Sequence, residues 1–83
     1  MSLLINDEFR ELIPSLSDSE YAELEQSILA EGCREALAVW NGTIVDGHNR
    51  YEICTKHGIP FRTREVQFAS EDEAKLWIIS NQL

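Results

Sequence analysis

Apolar residues along the chain fall into short runs whose spacing changes several times, and each change predicts an element. Tyr21, Leu24 and Ile28 recur at helical spacing after Ser17-Asp18-Ser19-Glu20. That spacing marks one face of an amphipathic helix, and the residues before it have the form of a capping box, with Ser17 as N-cap and Glu20 reaching back. Gly32 is placed to end this helix. Its other side is acidic (Glu23, Glu25, Glu31) and reads as a solvated face. Leu37-Ala38-Val39-Trp40 and Thr43-Ile44-Val45 are two β-prone runs separated by Asn41-Gly42. That pair tolerates the positive φ angles of a tight type I′ hairpin.

Asp46-Gly47 then leads into a helix expected from His48 to His57, with Tyr51, Ile53 and Cys54 as its apolar positions and Gly58 closing it. His57 is expected to act as a partner for the dipole at that helix's C-terminus. Past Pro60, the stretch Phe61 to Phe68 alternates well enough for a strand. Ser70-Glu71-Asp72-Glu73 has the form of a second capping box and opens a last helix through about Gln82. Ala74, Trp77, Ile78 and Asn81 lie along one side of that helix, where Trp77 and Ile79 are not both expected to find cover. Residues 4–14 show no sustained period. They read as an irregular segment that packs Phe9, Leu12 and Ile13 and ends at Pro14. The order helix, strand, strand, helix, strand, helix makes an α+β domain with a small mixed sheet and flanking helices. Trp40 and Trp77 are expected in its core.

Length adds a bound: 83 residues support one core, so residues 1–83 form a single domain. A chain of this size buries roughly 60–65% of its unfolded surface, which leaves a thin stability margin. The longest apolar runs fall far short of the ~20 residues needed to cross a bilayer. The N-terminus lacks the ordered regions of a secretion signal. The expectation is a cytoplasmic protein without a membrane partner. Cys33 and Cys54 stand in neither a CxxC pair nor a Cys/His pattern, so they read as two buried free thiols.

Charge changes the picture further. The net charge is −8, which repels phosphate polymers and makes the isolated chain a poor DNA binder. The distribution is uneven, because from Arg34 to Arg64 basic residues outnumber acidic ones while both flanks are acidic. That middle segment is where an anionic small ligand would be tolerated.

Within it lies Asp46-Gly47-His48-Asn49-Arg50, the junction between the hairpin and the following helix. A helix N-terminus offers unpaired N–H groups and a partial positive charge. A glycine lets a ligand approach the backbone closely. Arg50, in the first turn, can fork onto a phosphate or carboxylate, and His48 and Asn49 add polar groups beside it. These are the parts of an anion site. The same residues also suit a plain capped helix, in which Asp46 is the N-cap and Arg50 pairs with Asp46 or Glu52. Spacing alone leaves both readings open.

The wider pattern resembles a known family. Ala30-Glu31-Gly32-Cys33-Arg34-Glu35-Ala36-Leu37-Ala38-Val39, then Thr43-Ile44-Val45-Asp46-Gly47-His48-Asn49-Arg50-Tyr51, then Gly58-Ile59-Pro60 look like the ParB/sulfiredoxin superfamily, in its ParB-like N-terminal (ParB-like nuclease) domain. The final Trp77-Ile78-Ile79-Ser80-Asn81-Gln82-Leu83 is similar to the helix end of the same domain, so the resemblance covers about residues 18–83. It implies a nucleotide or other phosphate ligand held by Gly47, His48, Asn49 and Arg50, faced by Arg34 from the turn after Gly32 and approached by Asn81 from the last helix. ParB proteins proper bind CTP with magnesium and load onto DNA as partition clamps, whereas sulfiredoxins use ATP to repair oxidised peroxiredoxin. CTP or ATP is the ligand so implied, and the implied setting is a partition or transcription-regulator protein.

The chain departs from both branches. Sulfiredoxins carry a cysteine where His48 stands, so the attacking thiol is missing and sulfiredoxin activity is not expected. ParB proteins proper have Gly-Glu-Arg-Arg in place of Gly47-His48-Asn49-Arg50 and a Glu in place of Ser80, so hydrolysis of CTP is not expected and magnesium would have few ligands. In the family this last helix leads toward a helix-turn-helix region, so DNA is expected to be read by regions outside this chain. Two alternatives remain at this stage. One is a phosphotransferase or nuclease-type enzyme relying on Asp46 with Glu35 or Glu52. The other is an interaction domain without ligand, such as a homodimer.

Overall fold

In the computed structural model, which describes residues 3–81, the chain begins with a two-residue strand β1 (Leu4–Ile5) and a short helix α1 (Asp7–Glu11). The long helix α2 (Asp18–Glu31) follows, then the hairpin strands β2 (Leu37–Trp40) and β3 (Thr43–Asp46). Helix α3 (His48–His57), strand β4 (Thr63–Glu65) and helix α4 (Glu71–Ser80) complete the order. The strands form one sheet in the order β1-β3-β2-β4. The β2–β3 pair is antiparallel, while β1 runs parallel to β3 and β4 parallel to β2. The fold is therefore α+β with a small mixed sheet.

Local chemistry accounts for most of the boundaries. Ser17 Oγ accepts from Glu20 N–H while the Glu20 carboxylate accepts from Ser17 N–H, which completes the capping box on α2. The turn between β2 and β3 has positive φ at both central residues, 49° at Asn41 and 79° at Gly42, as a type I′ hairpin requires. Helix α3 spans the expected residues and ends at Gly58 in the left-handed region. At Ser70 one of the two box bonds forms, Ser70 Oγ accepting from Glu73 N–H.

Three expectations are corrected. Residues 4–14 are not irregular: Asn6 Oδ1 accepts from Glu8 N–H and Phe9 N–H and so starts α1, while Leu4 and Ile5 add an edge strand on β3. The strand expected over Phe61 to Phe68 shrinks to Thr63–Glu65, because pairing with Leu37–Val39 of β2, not side-chain alternation, sets its length. Helix α4 ends at Ser80 with Asn81 as its C-cap, and Gln82 lies outside the described residues.

Side-chain alternation along the strands sends apolar groups to both faces of the sheet. On one face Ala38 and Val45 pack with Phe9 of α1 and with Ala74 and Ile78 of α4. Trp40, Phe68 and Trp77 pack against this cluster, with Phe68 edge-on to Trp40 and tilted against Trp77, and the Arg64 guanidinium lies 5.9 Å from the Trp77 ring centre. Trp77 thus finds cover, whereas Ile79 and Leu76 stay exposed. A second cluster joins Ile28 of α2 to Ile53 and Cys54 of α3. Glu25 of α2 reinforces that pairing by accepting from Lys56 and bonding His57 Nε2 at 2.8 Å. His57 is thereby a cross-helix partner rather than only a dipole partner. The register between β2 and β3 shifts so that Ala38 faces Asp46 and Val39 faces Ile44, leaving Val45 as an extra residue. Such bulges sharpen strand twist, and this one lies immediately before the β3–α3 junction.

Candidate functional site

A cleft of about 400 Å³ opens between the C-terminal half of α2, the turn after it, and the start of α3. Arg34, Gly47, His48, Asn49 and Arg50 all line it. Five of the six residues expected at the site are thus brought together. Asn81 is not among the lining residues; it caps α4, with its N–H donating to Trp77 O and Ile79 O.

The junction is built around Gly47. Its φ of 103° is a left-handed value, and Gly47, not Asp46, is the N-cap of α3. Among the described residues, no side chain caps this helix. The first N–H groups of α3 are left without intrahelical partners, as at any helix start. The reading in which the Asp46 carboxylate caps the helix is therefore corrected. The glycine also makes room. A Cβ there would lie 2.5 Å from Leu37 Cδ2 and 2.9 Å from Arg50 Nη2, so both side chains pack directly against the backbone.

Arg50 folds back over this glycine with its side chain only 15% exposed. Its Nη1 lies 2.7 Å from Glu35 Oε2, and its Nη2 lies 3.6 Å from Asp46 Oδ2. The guanidinium is thus neither free nor turned into water: it faces two carboxylates at the cleft. Arg34 is largely exposed and 3.7 Å from Glu31. The turn that carries it is held by Arg62, whose Nη2 donates to Arg34 O at 2.6 Å.

His48 stands at the first position of α3. Both ring nitrogens are buried and neither has a hydrogen-bond partner among the described residues. Burial holds its pKa below the ordinary histidine value; Arg10 pushes in the same direction and Asp46 opposes. The neutral imidazole, with one donor and one acceptor nitrogen, is thereby favoured.

A second cleft of about 530 Å³ lies on the other side of His48. It shares Ile13, Leu16, His48 and Asn49 with the first. Tyr21 and Glu52 line its wall, where Tyr21 Oη donates to Glu52 Oε1 at 2.6 Å. That bond, then burial, pushes the phenol up to about 12. The sequence reasoning missed the contribution of the α1–α2 connection, Ile13 to Leu16, to both clefts. Pro14 was the available signal, since it forces the chain to turn there.

Of the carboxylates considered for metal or water activation, Glu35 and Asp46 face Arg50 and Glu52 faces Tyr21. Among the described residues, no group of three or more His, Cys, Asp or Glu side chains comes together as a metal site. Cys33 lines the first cleft, and Cys54 is buried behind it, both as free thiols.

No protein-family model and no curated protein matches the sequence. Among solved structures, a Pnob8-like ParB-N domain superposes with a TM-score of 0.75 at 21% identity, covering 98% of this chain. The match spans 33% of the other chain, so the present sequence corresponds to about a third of it. With the hairpin, the glycine junction and the flanking helices already in place, this likeness establishes that the chain has the ParB-N fold.

Proposed function

We propose that this chain is a nucleotide- or phosphate-binding ParB-like module of a DNA-associated protein, with its ligand in the cleft at the start of α3. The observation that carries the reading is the uncapped start of α3 at Gly47, in the wall of a cleft that also holds Arg50 and Arg34. Backbone N–H groups at a helix start favour phosphate, and a guanidinium adds a forked, permanently charged partner. A nucleoside di- or triphosphate of the CTP or ATP class suits a cleft of about 400 Å³ that shares four lining residues with a second one. Any magnesium ion would arrive mainly on the ligand's own phosphates, with Glu35 or Asp46 as the carboxylates at hand. DNA contact falls to regions outside this chain, because a net charge of −8 opposes it here. The enzyme alternative has weaker support, since Glu35 and Asp46 are engaged with Arg50.

Isothermal titration of the chain with CTP, ATP and their diphosphates, with and without magnesium, tests this reading. The expected result is saturable heat with at least one nucleotide, lost in a folded Arg50→Ala variant. Silence from every nucleotide, or unchanged binding by that variant, overturns it.

A further inference from the structure

Cys33 and Cys54 are far apart in the chain but meet in the fold. Cys33 stands on the turn between α2 and β2, half-buried, and lines the cleft of about 400 Å³. Its side chain packs against the cluster of Ile28, Ile53 and Cys54, and its Sγ donates to Glu35 O at 3.5 Å. Cys54, on α3, is 1% exposed, and its thiol contacts that of Cys33. Both are free thiols. The pair is therefore asymmetric. Cys33 is open to a reagent from the cleft, while Cys54 is closed to solvent and has the Cys33 thiol as its neighbour. An accessible thiol poised beside a second one is the arrangement in which oxidation of the first is resolved by the second. The Arg50 guanidinium favours the Cys54 thiolate against the burial that opposes it, which helps that sulfur to attack.

We propose that Cys33 and Cys54 form a peroxide-sensitive dithiol, in which oxidation at Cys33 ends in an intrachain disulfide with Cys54. The Cys33 thiolate attacks one oxygen of hydrogen peroxide; an S–O bond forms, the O–O bond breaks, and the departing hydroxide takes up the thiol proton as water. Cys33 is then a sulfenic acid, oxidised by two electrons. Cys54 attacks its sulfur, the S–S bond forms as the S–O bond breaks, and the leaving hydroxide takes the Cys54 proton as a second water. Two thiols and one peroxide thus give one disulfide and two waters. The product ties the turn carrying Arg34 and Glu35 to α3 within the cleft wall. This chemistry does not depend on what the cleft binds.

The test treats the folded wild-type chain with hydrogen peroxide and follows it by intact-mass and peptide-mapping mass spectrometry. The expected result is a monomer lighter by two hydrogens, with both free thiols lost, a Cys33–Cys54 linked peptide, and full recovery with dithiothreitol. Cys54→Ala should instead accumulate a sulfenic acid at Cys33 that dimedone traps, and Cys33→Ser should oxidise at Cys54 at least about tenfold more slowly than the wild-type pair. Wild-type chain that stops at a sulfenic or sulfinic acid on Cys33, that dimerises through Cys33, or that keeps both thiols would overturn the proposal. Oxidation of Cys54 at an unchanged rate in a folded Cys33→Ser variant also overturns it, because Cys33 would then not be the entry point. The wild-type peptide map decides the matter even where a variant fails to fold.

Discussion

Glu35 Oε2 lies 2.7 Å from Arg50 Nη1, joining a carboxylate that is 83% exposed to a guanidinium that is 15% exposed. The two partners stand in different situations. Arg50 is held in place by Gly47 and Asp46, whereas Glu35 reaches in from the turn before β2 and swings out at little cost. An anionic ligand therefore competes with Glu35 for the guanidinium. Glu35→Gln should strengthen tripolyphosphate binding by about threefold to tenfold and change folding stability by less than about 1 kcal/mol, since the carboxylate is exposed and Asp46 stays beside the guanidinium. Calorimetry and urea denaturation on the same sample check both parts; weaker binding by the variant refutes the competition.

Gly47 bears the largest structural demand at the site. A Cβ there faces Leu37 Cδ2 at 2.5 Å, on a residue with φ of 103°. Left-handed backbone costs a non-glycine residue about 1–2 kcal/mol, and overpacking adds about 1–3 kcal/mol. Gly47→Ala should therefore destabilise the chain by about 2–5 kcal/mol in urea denaturation. Gly42→Ala, whose added Cβ meets nothing within 4 Å among the described residues, should cost less.

How much of this was legible in the sequence follows from how local each feature is. The box at Ser17, the Asn41-Gly42 turn and the limits of α3 depend on neighbouring residues, and the structure reproduces them. β1 was hidden because two residues carry no period and Leu4–Ile5 become a strand only by pairing with β3. α1 is too short for periodicity, although Asn6 followed by two acids was a readable N-cap signal. At the site, the cluster of Gly47, His48, Asn49 and Arg50 follows from adjacency. The Glu35–Arg50 pair and the orphaned His48 ring follow from how α2 and the loops on either side of it pack on α3, which no spacing encodes.

His48 gives the fold a pH dependence of defined sign. Burial places its folded pKa below the ordinary value near 6.5, so between those two values the unfolded chain binds more protons. Stability then rises with pH through that window, and the penalty grows as pH falls from about 6.5 toward the folded value. Arg10 deepens the effect and Asp46 partly offsets it. Glu25, held low by His57 and then Lys56, loses its contribution only further into acid. Stability should fall between pH 7.5 and pH 5.5 in the wild-type chain and fall less in His48→Phe. Chemical denaturation at the two pH values checks this, and equal losses would contradict it.

The two thiols should differ in reactivity. Cys54 is buried, and burial, followed by its contact with Cys33, pushes its thiol up to about 11. Thiolate is the reactive form, so Cys54 should resist thiol reagents at neutral pH while Cys33, in the cleft wall, reacts first. A colorimetric thiol assay should count one fast thiol in the folded chain and the second only in denaturant. Two equally fast thiols would show that Cys54 is not shielded.

The central claim is that α3 begins as an anion receptor, and backbone amide spectra test it most directly. Titration with tripolyphosphate, followed residue by residue, should shift the N–H signals of His48, Asn49 and Arg50 together and saturably, with little change at the start of α4, where Ser70 already caps the helix. Unmoved signals at those three residues, or equal shifts at both helix starts, would contradict it.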